Sequence, residues 1–413
     1  MRRPWIFVFA AAVIVLVLML ATGPFFGGGD KAPAVRPQFV TRQGASLLLN
    51  GQPYRFTGIN MYTANLRDNC VSGYSGGYDN SVFGNDLTEF NNATGGRSKV
   101  IRAWFFQRLA TTNGARDWRA FDHTLAVARR HGFRVIAVLA DGHGTCEARG
   151  AKGPNGLGYR DISFYQGGYT QAPDVGHPGG PSEGGITSYR QWVREVVTRY
   201  ANNPTIFAWQ LMNEANAYTY EPGGVSSFRC PSESAARHAL VSWATAMTQL
   251  VKSIDHHHLV NIGTLDDSCG TEQSDNVAIS SIAGNDFCDY HDYSAPYTTI
   301  PSALSRLITA CKRIGRPVIV DELGIDLTDR AINNNLTVRA HHIAEKMATE
   351  FQTGVAGIIP WIWSGNGQSI SAKYEIEPGD PVLAVLRNFG LVPPAPQQST
   401  SYARPGEASI DGQ

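Results

Sequence analysis

Two glutamates in this chain close short apolar runs in the same way. Glu214 follows Ile206 to Met212 and Asn213 in TIFAWQLMNEAN, and Glu322 ends the run in RPVIVDELG. An apolar run of that length, bounded by turn and polar residues, reads as a buried strand. A carboxylate at the C-terminal end of such a strand projects into the mouth of a parallel sheet, where ligands bind in α/β folds. Other strand ends carry complementary groups: Arg102 and Trp104 in SKVIRAWFF, His143 beyond RVIAVLA, His291 and Tyr293 in DFCDYHDY, and Trp361 and Trp363 in GIIPWIW. Paired carboxylates among aromatic rings suit a sugar polymer. The rings pack on the apolar faces of pyranoses, polar groups bind hydroxyls, and the acids break the glycosidic bond.

These side chains meet only if their strands lie side by side and point the same way. The segments alternate accordingly. Strands are expected at 54–59, 98–106, 134–140, 205–212, 259–263, 286–293, 317–320 and 357–363, and helices at 81–90, 116–131, 189–200, 233–254, 300–314, 339–352 and 381–388. Tyr189, Trp192, Val193, Val196, Val197 and Tyr200 recur at helical spacing, the stripe of a helix packed on a sheet. Asn50-Gly51 between two apolar segments signals a hairpin. Strand–helix alternation of this extent points to a (β/α)8 TIM barrel, in the α/β class, with an N-terminal capping hairpin. A doubly wound sheet is the alternative, but no strand is followed by a G-x-G-x-x-G or phosphate-binding loop. The Gly-rich stretch from Asp141 to Gly185 reads as one long functional or disordered loop.

The ends of the chain are of different character. Arg2 and Arg3 precede an apolar run from Trp5 to Ala21, the pattern of an export signal. The run is long for a cleaved signal and close to a membrane span, so residues 1–26 read as a signal peptide or an N-terminal membrane anchor. Residues 27–45 read as a linker, 46–392 as the catalytic barrel and 393–413 as a disordered tail. Either N-terminal reading puts the barrel outside the cytoplasm, secreted or at the cell surface. The formal net charge of +0, with 17% charged residues, offers no basic footprint for nucleic acid. Six cysteines in an exported chain suggest disulfides, with fifteen connectivities open. Cys70 with Cys146, and Cys230 with Cys269, are pairs that the loops could bring together. No C-x-x-C spacing is present to suggest zinc, and His256-His257-His258 reads as a solvated loop rather than a metal cluster.

The ordered set of strand ends resembles glycoside hydrolase family 5, within the clan of retaining (β/α)8 glycosidases. That resemblance spans about Leu47 to Asn388. It rests on Asn213-Glu214 ending strand four, Glu322 ending strand seven, Arg102 on strand two, His291-x-Tyr293 on strand six and a Trp on strand eight. Alternation puts Trp361 and Trp363 on one side of strand eight, with Trp363 assigned to the family position. His143 falls where the family has a strand-three His. Ala215 stands where Pro often follows Asn-Glu, and the NGQPYRFTGIN start and the RAWFF strand are closer to mannanases than to typical cellulases.

The resemblance implies double displacement, with Glu322 as nucleophile and Glu214 as acid/base. Glu214 is then expected to have its pKa raised by burial and its neighbours. Asn213 would bind the sugar 2-hydroxyl, Arg102 and Tyr293 would orient Glu322, His291 would tune Glu214, and Trp363 would floor the subsite beside the cleaved bond. Asp321 and Asp292 are expected to point away from the site by strand alternation. Trp104, Trp192, Trp209 and Trp243 read as core. The expected activity is endo-hydrolysis of a β-linked polysaccharide, β-1,4-mannan or a cellulose-type glucan, by a monomer whose chemistry needs no cofactor. A non-hydrolytic carbohydrate-binding barrel at the cell surface and a transglycosylase are the alternatives. The first has no need of both glutamates; product analysis would separate the second.

Overall fold

The computed structural model describes residues 38–66, 80–143, 160–171, 185–220, 228–265, 268–271, 275–365 and 373–389. The N-terminal signal or anchor, Cys70, Cys146 and the C-terminal tail lie outside the described residues. Eight parallel strands make the central sheet: β1 (Phe56–Asn60), β2 (Val100–Trp104), β3 (Arg134–Val138), β4 (Ile206–Gln210), β5 (Leu259–Asn261), β6 (Cys288–Asp292), β7 (Val318–Leu323) and β8 (Gly357–Pro360). Their order is β5-β4-β3-β2-β1-β8-β7-β6. The sheet curls until its two ends meet. The Asp286 N–H donates to Val260 O at 2.7 Å, the Val260 N–H to Asp286 Oδ2 at 2.9 Å, and Asn261 Nδ2 to Phe287 O at 3.0 Å. Side chains thus help to close the barrel between β5 and β6. The (β/α)8 barrel expected from the alternation is the observed fold.

The helices are α1 (Phe83–Ala93), α2 (Arg119–Arg130), α3 (Ile162–Tyr165), α4 (Tyr189–Tyr200), α5 (Glu233–Ile254), α6 (Asp275–Ser280), α7 (Ser302–Arg313), α8 (Leu336–Thr353) and α9 (Val382–Phe389). Their ends follow local chemistry. The side chains of Ser188, Ser232 and Asn335 cap α4, α5 and α8 by accepting from backbone N–H groups of the first turn. The apolar stripe of α4 packs on the barrel, and Trp192 Nε1 donates to Leu139 O at 3.1 Å just beyond β3. Trp192, Trp209 and Trp243 are fully buried. Two helices escaped the sequence reading. The stretch read as one long loop holds α3, capped by Asp161, and α6 follows β5.

The barrel interior has two layers. The lower one is apolar: Val100, Ile136, Ala208, Leu259, Ile319 and Ile359 pack with Phe56 and Phe207. Val40 and Leu47 of the cap close it from below. The cap is the expected hairpin, Ser46–Leu49 with Gln52–Pro53, extended by a third strand, Val40–Gln43, inside the segment read as linker. The loop after α5 is not wholly solvated. His256 and His257 are exposed, but His258 is buried, with Nδ1 2.5 Å from Asp255 Oδ2 and Nε2 2.9 Å from Asn203 O. Cys230 pairs with Cys269, and Cys288 with Cys311. Among the described residues no helix is long and apolar enough to cross a membrane.

Candidate active site

Above the apolar layer the interior turns polar. Strand register sets Asn60 beside Arg102 and Gln210 beside Asn261. Arg102 is 1% exposed and spends its guanidinium entirely inside. Nε donates to Gln210 Oε1 at 2.7 Å, NH1 to Glu322 Oε1 at 2.7 Å and Asn60 Oδ1 at 3.2 Å, and NH2 to Asn213 Oδ1 at 2.6 Å. A buried guanidinium is tolerable only when its donors and charge are satisfied, and here four side chains do so. Tyr293 OH donates to the other Glu322 oxygen at 2.7 Å. The Tyr293 ring is braced by Tyr374, with centroids 5.2 Å apart.

Glu214 faces Glu322 across the mouth. His291 Nδ1 lies 2.8 Å from Glu214 Oε1, and His143 Nε2 makes a short contact with Oε2. One oxygen from each glutamate and one His291 ring nitrogen lie within 4.8 Å of one another. These three could approach a cation, but each glutamate already has cationic or hydroxyl partners. Asn213 is fixed at both ends of its amide, since Nδ2 also donates to Asp141 Oδ1 at 2.9 Å. That leaves one N–H of the Nδ2 group for a ligand.

Local backbone makes this possible. Glu214 sits at φ 51°, a left-handed conformation that costs a non-glycine residue about 1–3 kcal/mol and is concentrated at functional sites. Gly142 packs against it so closely that a Cβ there would lie 2.4 Å from Glu214 O. On β7 the register against β6 jumps from Tyr290–Val320 to His291–Glu322. This is a β-bulge, with one extra residue on β7. It interrupts the alternation that the sequence reading relied on, so Asp321 and Glu322 both face the interior. Asp321 is therefore not directed away from the site: it lies beneath it, with Gln210 Nε2 donating to Oδ2 at 2.5 Å. Asp292 does point outward, to Lys346 Nζ on α8 at 2.9 Å.

The charges of the two glutamates run against the expectation for Glu214. Burial pushes the Glu214 carboxyl up, but hydrogen bonds from His143 and His291, with their positive charges, outweigh it and hold the group below its ordinary range. Burial raises the Glu322 carboxyl, and the Glu214 charge adds to that. His291, Arg102 and the Tyr293 hydroxyl pull it back only in part. Burial would lower His291, yet the Glu322 and Asp321 charges and the Glu214 hydrogen bond raise it to about 10. His143 is also raised, burial being outweighed by Glu214 and Asp141. These shifts favour protonated imidazoles beside an ionised Glu214.

The structure thus brings together Arg102, His143, Asn213, Glu214, His291, Tyr293 and Glu322. The two tryptophans part. Trp363 is 3% exposed and packs edge-on against Phe90 of α1, 5.5 Å between centroids, so it belongs to the outer core and not to the floor of the site. Trp361 is half-buried and stacks on Tyr62 at 5.4 Å with 8° between planes. Alternation fails because β8 ends at Pro360. The Trp361 N–H then bonds Leu323 O of β7, and the Trp363 N–H bonds Asn60 O of β1, on the other flank. Tyr62 in turn packs on the buried Trp104, 4.2 Å away. Residues missed in the sequence are Asn60, Tyr62, Asp141, Gln210 and Asp321. Gln210, a lone polar side chain within IFAWQLM, carried the usable signal, because a buried amide needs buried partners.

A family model described as cellulase (glycosyl hydrolase family 5) matches residues 98–367. Mannan endo-1,4-beta-mannosidase A of Hypocrea jecorina is 26% identical over 375 residues, covering 82% of this chain and 74% of that protein. Mannan endo-1,4-beta-mannosidase A of Podospora anserina is 24% identical over 418 residues, covering 92% and 95%. The crystal structure of the endo-1,4-beta-mannanase from Rhizomucor miehei superposes with a TM-score of 0.61 at 18% identity, covering 85% of this chain and 98% of that one. The endo-beta-1,4-mannanase of Thermotoga petrophila gives 0.58 at 19% identity, covering 83% and 77%.

Proposed function

Because the chain belongs to glycosyl hydrolase family 5, and is therefore a glycoside hydrolase, we propose that it is a retaining endo-β-1,4-mannanase acting outside the cytoplasm, with Glu322 as nucleophile and Glu214 as acid/base. The observation that supports the mechanism is the close approach of the two carboxylates: one oxygen of each lies within 4.8 Å of the other, and His291 Nδ1 lies 2.8 Å from Glu214 Oε1 and 3.4 Å from Glu322 Oε2. Retaining glycosidases hold their carboxyls about 5–5.5 Å apart, whereas inverting ones leave about 6.5–9.5 Å for a water. Exposure divides the roles. The Glu322 side chain is 5% exposed and tied to Arg102 and Tyr293, while Glu214 is 18% exposed and open to a leaving group and to water.

In the first step Glu322 forms a bond to the anomeric carbon as the glycosidic C–O bond breaks, and Glu214 gives a proton to the departing oxygen. That proton reaches Glu214 along its hydrogen bonds from His291 or His143, turning carboxylate and imidazolium into carboxylic acid and imidazole. In the second step Glu214 takes a proton from water, which displaces Glu322 with net retention. The free N–H of Asn213 donates to the sugar 2-hydroxyl, and Trp361, rather than Trp363, supplies the ring beneath the sugar. Mannan as substrate is supported by the names of the relatives and by the NGQPYRFTGIN and RAWFF segments. Location outside the cytoplasm is supported by the Arg2-Arg3 apolar leader and by two disulfides.

The test is hydrolysis of β-mannan, glucomannan, carboxymethylcellulose, mixed-linkage glucan and xylan by the wild type, Glu214→Gln and Glu322→Gln. Product anomers are followed by NMR. Cleavage of mannan to β-anomers first, lost in both variants, is expected. Inverted product would overturn the mechanism. Activity confined to a glucan or xylan would overturn the substrate.

A further inference from the structure

One buried carboxylate beneath the glutamates has no part in the steps above. Asp321 is fully buried. Its Oδ2 accepts from Gln210 Nε2 and lies 3.5 Å from Arg102 Nε, and its Oδ1 lies 3.4 Å from His291 Nε2. On the opposite edge of the same ring, Nδ1 is 2.8 Å from Glu214 Oε1 and 3.4 Å from Glu322 Oε2. His291 is wedged between carboxylates on both edges.

A neutral imidazole has one N–H and one bare nitrogen. On either edge of His291, whose side chain is 3% exposed, a bare nitrogen would face carboxylate lone pairs. Only the doubly protonated ring presents an N–H both ways. We infer that Asp321 is a positioning residue of this reaction: it keeps His291 doubly protonated with Nδ1–H aimed at Glu214, so that His291 stores the proton Glu214 delivers. This rests on the reading of Glu214 as the acid/base.

The other charged and titratable groups around the ring are of both signs, with the carboxylates the nearer. Glu214 faces it from beyond β4, Glu322 from β7, and Asp289 and Tyr293 from its own strand and just past it; Arg102 on β2 and His143 beyond β3 are the cations. Burial and the Asp321 charge push Asp289 up to about 7, so Asp289 is a weaker counter-charge than Asp321. The simpler role for Asp321, balancing Arg102, makes a different prediction. A guanidinium stays protonated through the working range, so loss of that balance alone would lower stability and leave the alkaline limb of kcat where it is.

Two measurements decide between these roles. Nitrogen-15 NMR of labelled histidines follows the His291 ring in the wild type and in Asp321→Asn, and kcat and KM are taken against pH for both. Both ring nitrogens of wild-type His291 are expected to carry protons at about pH 8, well above an ordinary histidine pKa. In Asp321→Asn the titration should fall by about one to three pH units, the effect of removing a charge within 4–6 Å. The alkaline limb of kcat should fall with it, with KM little changed. A neutral wild-type ring at that pH overturns the inference without any variant, which covers the case of Asp321→Asn failing to fold. An unchanged titration in a folded variant also overturns it. A wild type that hydrolyses no glycan overturns the reaction and this role together, so the two failures are told apart.

Discussion

Glu322, the proposed nucleophile, is held by two neighbours of different kinds, a fixed cation and a neutral hydroxyl. The hydroxyl can be removed alone. Tyr293→Phe deletes a hydrogen bond to a charged group, about 1.5–3 kcal/mol, so kcat/KM should drop about 10- to 100-fold. The sign of the pH effect follows. Tyr293 lowers the Glu322 pKa by bonding its ionised form. Its loss raises that pKa, Glu322 then ionises only at higher pH, and the acid limb of kcat/KM moves up. A pH–rate profile in which that limb stays put or moves down would contradict this. The tryptophans give a paired test. Trp361→Ala should lower kcat/KM about tenfold or more, roughly 1.4 kcal/mol, with the unfolding midpoint little changed. Trp363→Ala should cost about 3–5 kcal/mol of stability by emptying a packed site, read by denaturant titration.

At the scale of elements, the bulge in β7 matters most, because it lets two successive acidic residues face inward where a regular strand would turn one out. The connection from α5 into β5 is a second case. Asp255 accepts from the His257 and His258 N–H groups and from Trp209 Nε1 at 2.7 Å, and pairs with His258. Burial raises the Asp255 carboxyl, but His258 and Trp209 bring it down to about 2. A carboxyl depressed in the folded state stabilises fully above its ordinary pKa, and that stabilisation is lost as pH falls towards 2. Asp255→Ala should therefore cost about 3 kcal/mol at neutral pH and much less near pH 2, with kcat on the folded enzyme unchanged. Urea melts at both pH values would check it. Sequence patterning found the long elements well, and α4 and α5 match their expected bounds. It missed α3 and α6, which are too short for a helical period to register.

For the whole molecule, the cap and the Cys230–Cys269 disulfide secure opposite ends of the barrel. Val40 and Leu47 cover the apolar lower layer, while Cys230–Cys269 ties the segments beyond β4 and β5, near the mouth. Cys288–Cys311 joins β6 to α7, closing a separation of 23 residues against 39 for the other bridge. Loops of that length are worth about 3–4 kcal/mol each in the chain-entropy account. Cys288→Ser with Cys311→Ser should lower stability by that order and leave KM unaffected, since the bridge lies on the helical side of the barrel. Loss of the two bridges found among the described residues should lower the melting temperature further, measured by calorimetry with and without reductant.

The fold and the two glutamates could be read from the chain alone, because both depend on local pattern. Apolar runs of strand length alternate with helical stripes, and a carboxylate at a strand end has one place to go in a parallel barrel. The tertiary structure decided which neighbours those carboxylates meet. Arg102, Gln210 and Asp321 come together across 108 and 111 residues of separation, and no local pattern encodes such meetings. Strand alternation put Trp361 and Trp363 on one side and turned Asp321 away from the site; the structure differs at both places for one reason. The period of two holds only while the ladder is regular, and it is broken at the bulge in β7 and beyond the end of β8. Protonation followed the same rule. Burial alone would raise Glu214, but the two imidazoles that outweigh it arrive from beyond β3 and from β6, and only closure of the barrel brings them there.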